Sequence, residues 1–452
     1  MTKSALFRHP LTAVGAVMAT VTAVAFIALT IAALAGMFNR NPYAGLVVFV
    51  ALPALFIIGI LLVPAGVWLQ RRKLQRHPEA EGDWPVVDFR RPEVRRRALL
   101  FTALTAANVI VILLAGYGSL HWMESPSFCG QVCHTPMHPQ FTAWQAAAHR
   151  QVACVDCHIA EGVQGFVHAK LAGTRQLVHV ITGNIPRPIP PGAEMAPGAQ
   201  ARTCLGCHNP ARIVGDRLRV VRDYADDEAS TETKTVLQLH VGALSSSGRA
   251  IHWHADPRTK VEYVATDEGG ETIPYVKLTD AKGAVKEFKA EGVTDQQISG
   301  GHRKTMDCID CHNTVGHPIA QTPEQAVDRA IAASQVSRQL PFVRREGVRL
   351  VKASYPSSEA GVEAIGKDLR TLYGSRGADQ QALERTVTGL QTVYQRGVFP
   401  PMKVSWGSYP DNRGHTTSNG CFRCHDDSHK AADGSTISGD CEFCHKQIEN
   451  PL

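Results

Sequence analysis

All twelve cysteines of this chain fall in six short stretches, and every stretch ends in a histidine. Five are Cys-x-x-Cys-His: Cys154-Cys157-His158, Cys204-Cys207-His208, Cys308-Cys311-His312, Cys421-Cys424-His425 and Cys441-Cys444-His445. The sixth, Cys129-Gly130-Gln131-Val132-Cys133-His134, has one more residue between its cysteines. Two thiols at this spacing with an imidazole directly after them fit covalent attachment of haem c. The sulfurs bind the porphyrin, and the histidine lies beneath the iron as an axial ligand. Half a zinc site is the alternative for a single Cys-x-x-Cys unit. Zinc does not require a histidine after every pair, and here every pair has one. The stretches predict six covalently bound haems, and they leave no cysteine for a disulfide or a nucleophile.

Such a chain cannot be an ordinary globular enzyme. Residues 121–452 carry all six sites, about 55 residues for each, too few for a thick apolar core of side chains alone. The porphyrins must supply much of the buried surface. Attachment of haem c takes place outside the bacterial cytoplasm, so this region is expected in the periplasm.

The first 120 residues have a different composition. Leu11–Asn39 contains no charged residue, and Ala13–Met37 is almost wholly apolar. A cleaved signal peptide would suit Lys3, Arg8 and the Ala33-Leu34-Ala35 triplet. The run exceeds a signal core of roughly 7–15 residues, which favours a retained anchor. A second uncharged run covers Asn41–Gln70, including Pro53 and Pro64, and a third covers Ala98–Leu120. Between them residues 71–97 hold nine basic residues against five acids, which the positive-inside rule places in the cytoplasm. The expected topology has a cytoplasmic N-terminus, two spans in 1–70, the basic loop at 71–97, a third span at 98–120 and a periplasmic remainder. The anchor would lie in the bacterial cytoplasmic (inner) membrane, among its lipids. That loop accounts for much of the formal charge of +6, and no nucleic-acid footprint remains.

The expected fold class is mainly α: three membrane helices, then a haem region with little regular structure and a small β insert. Residues 159–183 read as an amphipathic helix carrying Val163, Phe166, Val167, Leu171, Leu177 and Val178, ended by Gly183 and the linker Pro186–Pro191. Within the insert at about 210–300, Arg212–Tyr224 reads as helix. Val261–Thr266, Thr272–Thr279 and Val285–Ala290 read as an antiparallel meander. A helical segment (321–400) starts at Thr322-Pro323-Glu324-Gln325, with helices at 323–339, 359–373 and 378–396. It is expected to separate the four-haem domain (121–320) from a two-haem module (401–452).

Of 20 histidines, six stand in the motifs. His9 and His77 fall on the cytoplasmic side. His149, His302 and His415 lie five or six residues before motifs 2, 4 and 5. His138, His317 and His429 lie four or five residues after the histidines of motifs 1, 4 and 5. A histidine one helical turn from a motif histidine faces the same side, so it should serve a neighbouring haem. His179, on the amphipathic helix expected at 159–183, is a further candidate. The spacing argument gives less support to His168, His240, His252 and His254; the last two alternate around Trp253 as on a strand and would share a face. At motif 1, ligation by His134, ligation by Met137 and an open position are each compatible with the spacing.

These residues resemble the NapC/NirT/NrfH group of membrane-anchored quinol dehydrogenases, over roughly 98–215 and 300–318. The resemblance rests on a span running into Ser125-Pro126-Ser127-Phe128-Cys129, on Met137, and on a second motif about twenty residues later. It continues with Lys170, with His179-Val180-Ile181-Thr182-Gly183 and with Cys308-Ile309-Asp310-Cys311-His312-Asn313-Thr314-Val315-Gly316-His317. It implies oxidation of menaquinol or ubiquinol near the first haem, with electrons passed to a periplasmic redox protein, an extracellular acceptor or subunits of a membrane complex. The group's quinol-site lysine matches Lys170, and Arg175 beside it would also stabilise quinolate, or both would form a basic rim against lipid phosphates. The acidic residue usual before the helix histidine is here Gln176. Three spans, the longer first motif, the insert and motifs 5 and 6 depart from the basic pattern. A terminal haem reductase and an electron-relay subunit are the alternative functions. The supply of histidines argues against an open reductase haem.

Overall fold

In a computed structural model the described residues are 9–34, 47–76, 89–159, 162–190, 199–209, 212–242, 250–267, 269–375 and 377–448. The chain divides into two compact units, residues 1–134 and 135–452.

The first unit holds three long apolar helices: α1 (Pro10–Leu34), α2 (Leu52–Arg76) and α3 (Pro92–Met123). Each is long and apolar enough to cross a membrane. Twenty-five residues at 1.5 Å each exceed the hydrocarbon thickness of about 30 Å. Leu113, Leu114, Ile110 and Tyr117 of α3 lie open, as lipid-facing side chains do. The ends of the expected first run (35–37), the start of the second (41–46) and residues 77–88 of the loop, with His77, lie outside the described residues.

Helices α1 and α2 approach at backbone distance because small residues meet there. A Cβ on Gly59 would stand 2.7 Å from the Ala19 nitrogen, and one on Gly15 would stand 2.7 Å from the Gly59 oxygen. In lipid, where burying apolar side chains yields little, such small-residue seams are what bring helices together.

The second unit begins within α4 (His134–Gln145), followed by α5 (Gly162–Ile181) and α6 (Ala199–Cys207). Helix α5 is the expected amphipathic helix, and Gly183 ends the segment at φ +73°. The insert supplies β1 (Asp216–Tyr224), β2 (Glu232–His240), β3 (Lys260–Ala265), β4 (Tyr275–Thr279), β5 (Val285–Lys289) and β6 (His302–Thr305). The helix expected at 212–224 is therefore strand β1. Its Val220-Val221 pair and the threonine-rich partner β2 suit a two-stranded ladder, Val220 opposite Val236, better than a helix face. The meander β3-β4-β5 forms as expected, and β6 extends it on the far side of β3.

Four helices then pack on one another: α7 (Pro323–Ala332), α8 (Val343–Lys352), α9 (Ser358–Gly374) and α10 (Gln380–Gly397). The Gln325 N–H donates to Thr322 Oγ1 at 3.1 Å, capping α7 at the expected start. Helix α7 ends seven residues earlier than expected, and α8 was not expected. Ser334 and Phe342 take positive φ, which breaks the apolar pattern into two helices. Val327, Leu350, Ile365, Leu369, Leu383, Leu390 and Tyr394 fill a core among them, and Tyr224 of β1 joins it.

The terminal module is not held apart by these helices. Its strands β7 (Lys430–Ala431) and β8 (His445–Ile448) pair with β5 and β2 of the insert. The Arg423 guanidinium donates to the carbonyls of Asp310 (2.6 Å) and Gly270 (2.8 Å), so motif 5 is clamped on motif 4. The chain leaves motif 4, makes the helical segment, and returns to the same place.

Candidate haem sites

Motifs 2, 4, 5 and 6 each form a short helical turn and motif 3 ends helix α6, which brings their two thiols, three residues apart, onto one side; motif 1, with its cysteines four apart, follows the wider turn Phe128–Val132. Aspartates inside motifs 2 and 4 close their own turns: Asp156 Oδ2 accepts from the Ala153 N–H (3.1 Å) and Asp310 Oδ2 from the Asp307 N–H (2.6 Å). The Tyr263 hydroxyl, buried beneath, donates to Asp310 Oδ1 at 2.6 Å. Burial and Asp310 push that phenol well up, so it remains a donor. In motif 6, Asp440 accepts from the Glu442 N–H.

None of the twelve cysteines is joined to another in a disulfide. Burial pushes Cys308 and Cys311 up to about 11 and Cys424 up to about 12. Cys157 lies near Cys204 and Cys207, Cys204 shares a side-chain hydrogen bond with Cys308, and Cys421 lies near both Cys311 and Cys444. Motifs 2 to 6 thus follow one another in space in chain order.

Five of the motif histidines stand opposite a second imidazole. Ring centres are 5.8 Å apart for His158 and His317, and 6.0 Å for His208 and His149. They are 6.0 Å apart for His312 and His252, 5.8 Å for His425 and His254, and 6.0 Å for His445 and His415. An imidazole nitrogen binds a first-row metal at about 2 Å and its ring centre lies about 1 Å behind, so two rings across one metal stand about 6 Å apart. The observed separations match that value. Each spacing is too wide for direct stacking and right for an iron between the rings. On this geometry the residues present fit haem c.

Hydrogen bonds set the ring orientations. The Nδ1–H groups of His252, His254 and His425 donate to the carbonyls of Val241 (2.6 Å), Ile251 (2.9 Å) and Ser438 (2.9 Å). A carbonyl only accepts, so the proton sits on Nδ1 and Nε2 keeps its lone pair for a metal. Burial, then the neighbouring His158, takes His317 down to about 4, and burial lowers His254. Both rings are neutral at pH 7, as ligation requires.

The expected ligands fall as follows. His149, His317 and His415 each face the histidine of a motif other than the nearest in sequence. His302 lies exposed on β6, and His179 is half-buried near the end of α5. His138 packs edge-on against Phe399 at 5.2 Å. His429 is buried with both nitrogens engaged, Nδ1 with Asp426 (2.8 Å) and Nε2 with the Ile273 carbonyl (2.7 Å). His240 bonds Asp216 at 3.0 Å. At motif 1, Ser125 bridges the end of α3 to the turn at Phe128–Val132, accepting from the Phe128 N–H. Met137 is half-buried on α4, and the His134 side chain lies outside the described residues.

His252 and His254 are the residues that sequence reasoning undervalued. The expected strand is instead a 3-10 turn, Ile251–Ala255. With about three residues per turn, alternate side chains diverge rather than share a face. Asp256-Pro257, a turn-initiating pair directly after it, was the available signal.

On α5, Val167, Leu171, Val178 and Ile181 form an exposed apolar stripe. At 3.6 residues per turn, Lys170 and Arg175 flank the stripe on either side and Gln176 lies opposite. Lys170 is half-buried, its Nζ 5.0 Å from the centre of the Phe166 ring.

Residues 91–189, from α3 through α5 and motifs 1 and 2, match the NapC/NirT cytochrome c family, N-terminal region. Over its length the chain is similar to cytochrome c-type protein ImcH of Geobacter sulfurreducens. The two are 34% identical over 453 residues, covering 97% of this chain and 88% of that protein. It is also similar to cytochrome c-type protein TorY of Haemophilus influenzae, 27% identical over 160 residues, 32% of this chain and 43% of that one. No solved structure matches it.

Proposed function

Because the chain belongs to the NapC/NirT family of membrane-anchored cytochromes c, with covalently bound haem c, we propose that it oxidises membrane quinol and relays the electrons through six haems to a periplasmic or extracellular acceptor. The observation that carries the relay is the run of motifs 2 to 6 in chain order, each motif histidine facing a second imidazole. A terminal reductase needs an open position at iron, and these five pairs argue for transfer rather than substrate binding.

Haem c supplies acceptance of one electron at a time, so two-electron quinol needs several in reach. Motif histidines His134, His158, His208, His312, His425 and His445 would each hold the iron of the haem bound to their own cysteines. His317, His149 and His415 would supply a second imidazole at motifs 2, 3 and 6. The N-terminus lies in the cytoplasm and the haem region in the periplasm, the orientation that the basic loop at 71–97 favours.

What supports a quinol site is α5. Its apolar stripe suits the membrane interface, where an amphipathic helix buries its apolar face among the acyl chains. Lys170 and Arg175 at the stripe's edges place positive charge where a quinol headgroup sits, lowering the cost of quinolate. Gln176 is an amide, which donates and accepts hydrogen bonds but takes no proton at neutral pH. Proton removal therefore falls to another group or to water.

The test is anaerobic reduction of the membrane-reconstituted protein by a menaquinol analogue, followed at the haem absorption bands, in wild type and Lys170→Ala. Rapid reduction that slows about tenfold or more in the variant is the expected outcome, one lost charge interaction of roughly 1.4 kcal/mol or more. Reduction by dithionite but not by quinol would sink the dehydrogenase reading and leave a relay fed by another protein.

A further inference from the structure

We propose that the His252-Trp253-His254 turn supplies the distal axial ligands of two haems at once, His252 to the haem of motif 4 and His254 to that of motif 5. The inference rests on the reading of those two motifs as haem attachment sites. It goes beyond that reading by giving the insert, which carries no cysteine, a role in joining the four-haem region to the terminal module.

Three independent observations carry it. The first is distance: His252 lies 6.0 Å from His312 with its ring within 8° of parallel, and His254 lies 5.8 Å from His425. Both separations are those of two imidazoles across one iron. The second is chemistry. Each Nδ1–H is spent on a backbone carbonyl, so each Nε2 has a free lone pair. His429 shows the opposite arrangement, with both nitrogens already used inside the protein. The third is the backbone. In a 3-10 turn, residues two apart point about 120° away from each other, so the two rings diverge toward different partners.

The turn is held for this task. Asp256, nearly fully buried, donates its N–H to the Trp253 carbonyl (3.1 Å) and takes three side-chain bonds and a backbone bond from Arg258. Thr259 closes the loop on the Asp256 carbonyl. On the other side, Arg423 ties motif 5 to the Asp310 carbonyl inside motif 4. The same two motifs are thus clamped twice, by a guanidinium between their backbones and by two ligands from one turn. Electrons leaving motif 4 would pass to motif 5 between haems whose separation this turn fixes.

The test uses the full-length protein in detergent, as wild type, His252→Ala, His254→Ala and, for comparison, His429→Ala. Intact mass first counts the haems, because thioether attachment does not depend on the distal ligand. Electron paramagnetic resonance then reads spin state, and carbon monoxide titration of the reduced protein reads open positions. At unchanged haem mass, His252→Ala and His254→Ala should each lose one haem's share of low-spin signal and gain carbon monoxide binding, while His429→Ala does neither. Added imidazole should restore the low-spin signal, which separates a lost ligand from a misfolded site. His254→Met should stay low-spin and titrate at higher potential. Fully low-spin spectra in both alanine variants at full haem mass would overturn the assignment. A wild-type protein short of six haems, with peptide mass mapping showing unmodified cysteines at motif 4 or 5, would instead overturn the attachment reading beneath it.

Discussion

Leu390 of α10 and Gly347 of α8 form a slot whose energetics follow from its dimensions. Leu390 is fully buried, and its two Cδ atoms lie 3.1 and 3.3 Å from where a Cβ on Gly347 would stand. The glycine lets α8 close onto the leucine. Leu390→Ala removes about 2 kcal/mol of transfer free energy and leaves a void between two helix backbones that cannot collapse, for a total of about 3 kcal/mol. Gly347→Ala alone forces its methyl against Leu390 and Val327, costing about 1 kcal/mol after its better helix propensity is counted. In the double variant that methyl enters the space Leu390 left. The combined loss should therefore fall short of the sum by at least about 1 kcal/mol. Hydrogen exchange of peptides spanning 323–397 reads this directly. Leu390→Ala should speed exchange of its slowest amides roughly a hundredfold. The haem absorption spectrum should not change, because this core consists of side chains alone. Additivity within about 0.3 kcal/mol would refute the slot argument.

Gly59→Leu should force α1 and α2 apart, because any Cβ there meets the Ala19 nitrogen at 2.7 Å. A loss of about 1–3 kcal/mol is expected, seen as a lower thermal midpoint in detergent. Tyr263→Phe removes the buried hydroxyl that donates to Asp310 and should cost about 1–3 kcal/mol in denaturant unfolding. An unchanged midpoint would mean that water replaces it. Hydrogen bonds from Arg258, side chain then backbone, hold the Asp256 carboxyl below the usual carboxylate range. A depressed folded pKa contributes stability present above the unfolded value of about 3.9 and lost as pH falls through the folded one. Thermal midpoints measured from pH 6 to pH 2 should therefore fall at the acid end in wild type and lose that part of the slope in Asp256→Asn.

The thiol–imidazole stretches and the three membrane-length apolar runs were legible directly. A thiol pair followed by an imidazole is a local pattern, and so is a run of apolar residues long enough for a membrane, so neither depends on what lies far along the chain. The meander was legible because β3, β4 and β5 are consecutive and joined by short turns. Strand β1 was not, because Asp216–Tyr224 becomes a strand only through its ladder with β2 and, beyond it, β8 from the far end of the chain. The return of motif 5 to motif 4 after the helical segment rests on Arg423 reaching the Asp310 carbonyl, a contact with no trace in spacing. The imidazole pairs divide the same way. Motif histidines are named by their own cysteines, whereas a facing histidine is whichever one the fold carries to about 6 Å. His252 and His254 look like neighbours on a strand until a 3-10 turn sends them to different motifs. Sequence alone determined the thiol–imidazole stretches and the runs long enough to cross a membrane, because those depend on residues side by side; tertiary structure alone decided which imidazole faces which and in what order the motifs follow, because those depend on residues up to 171 positions apart.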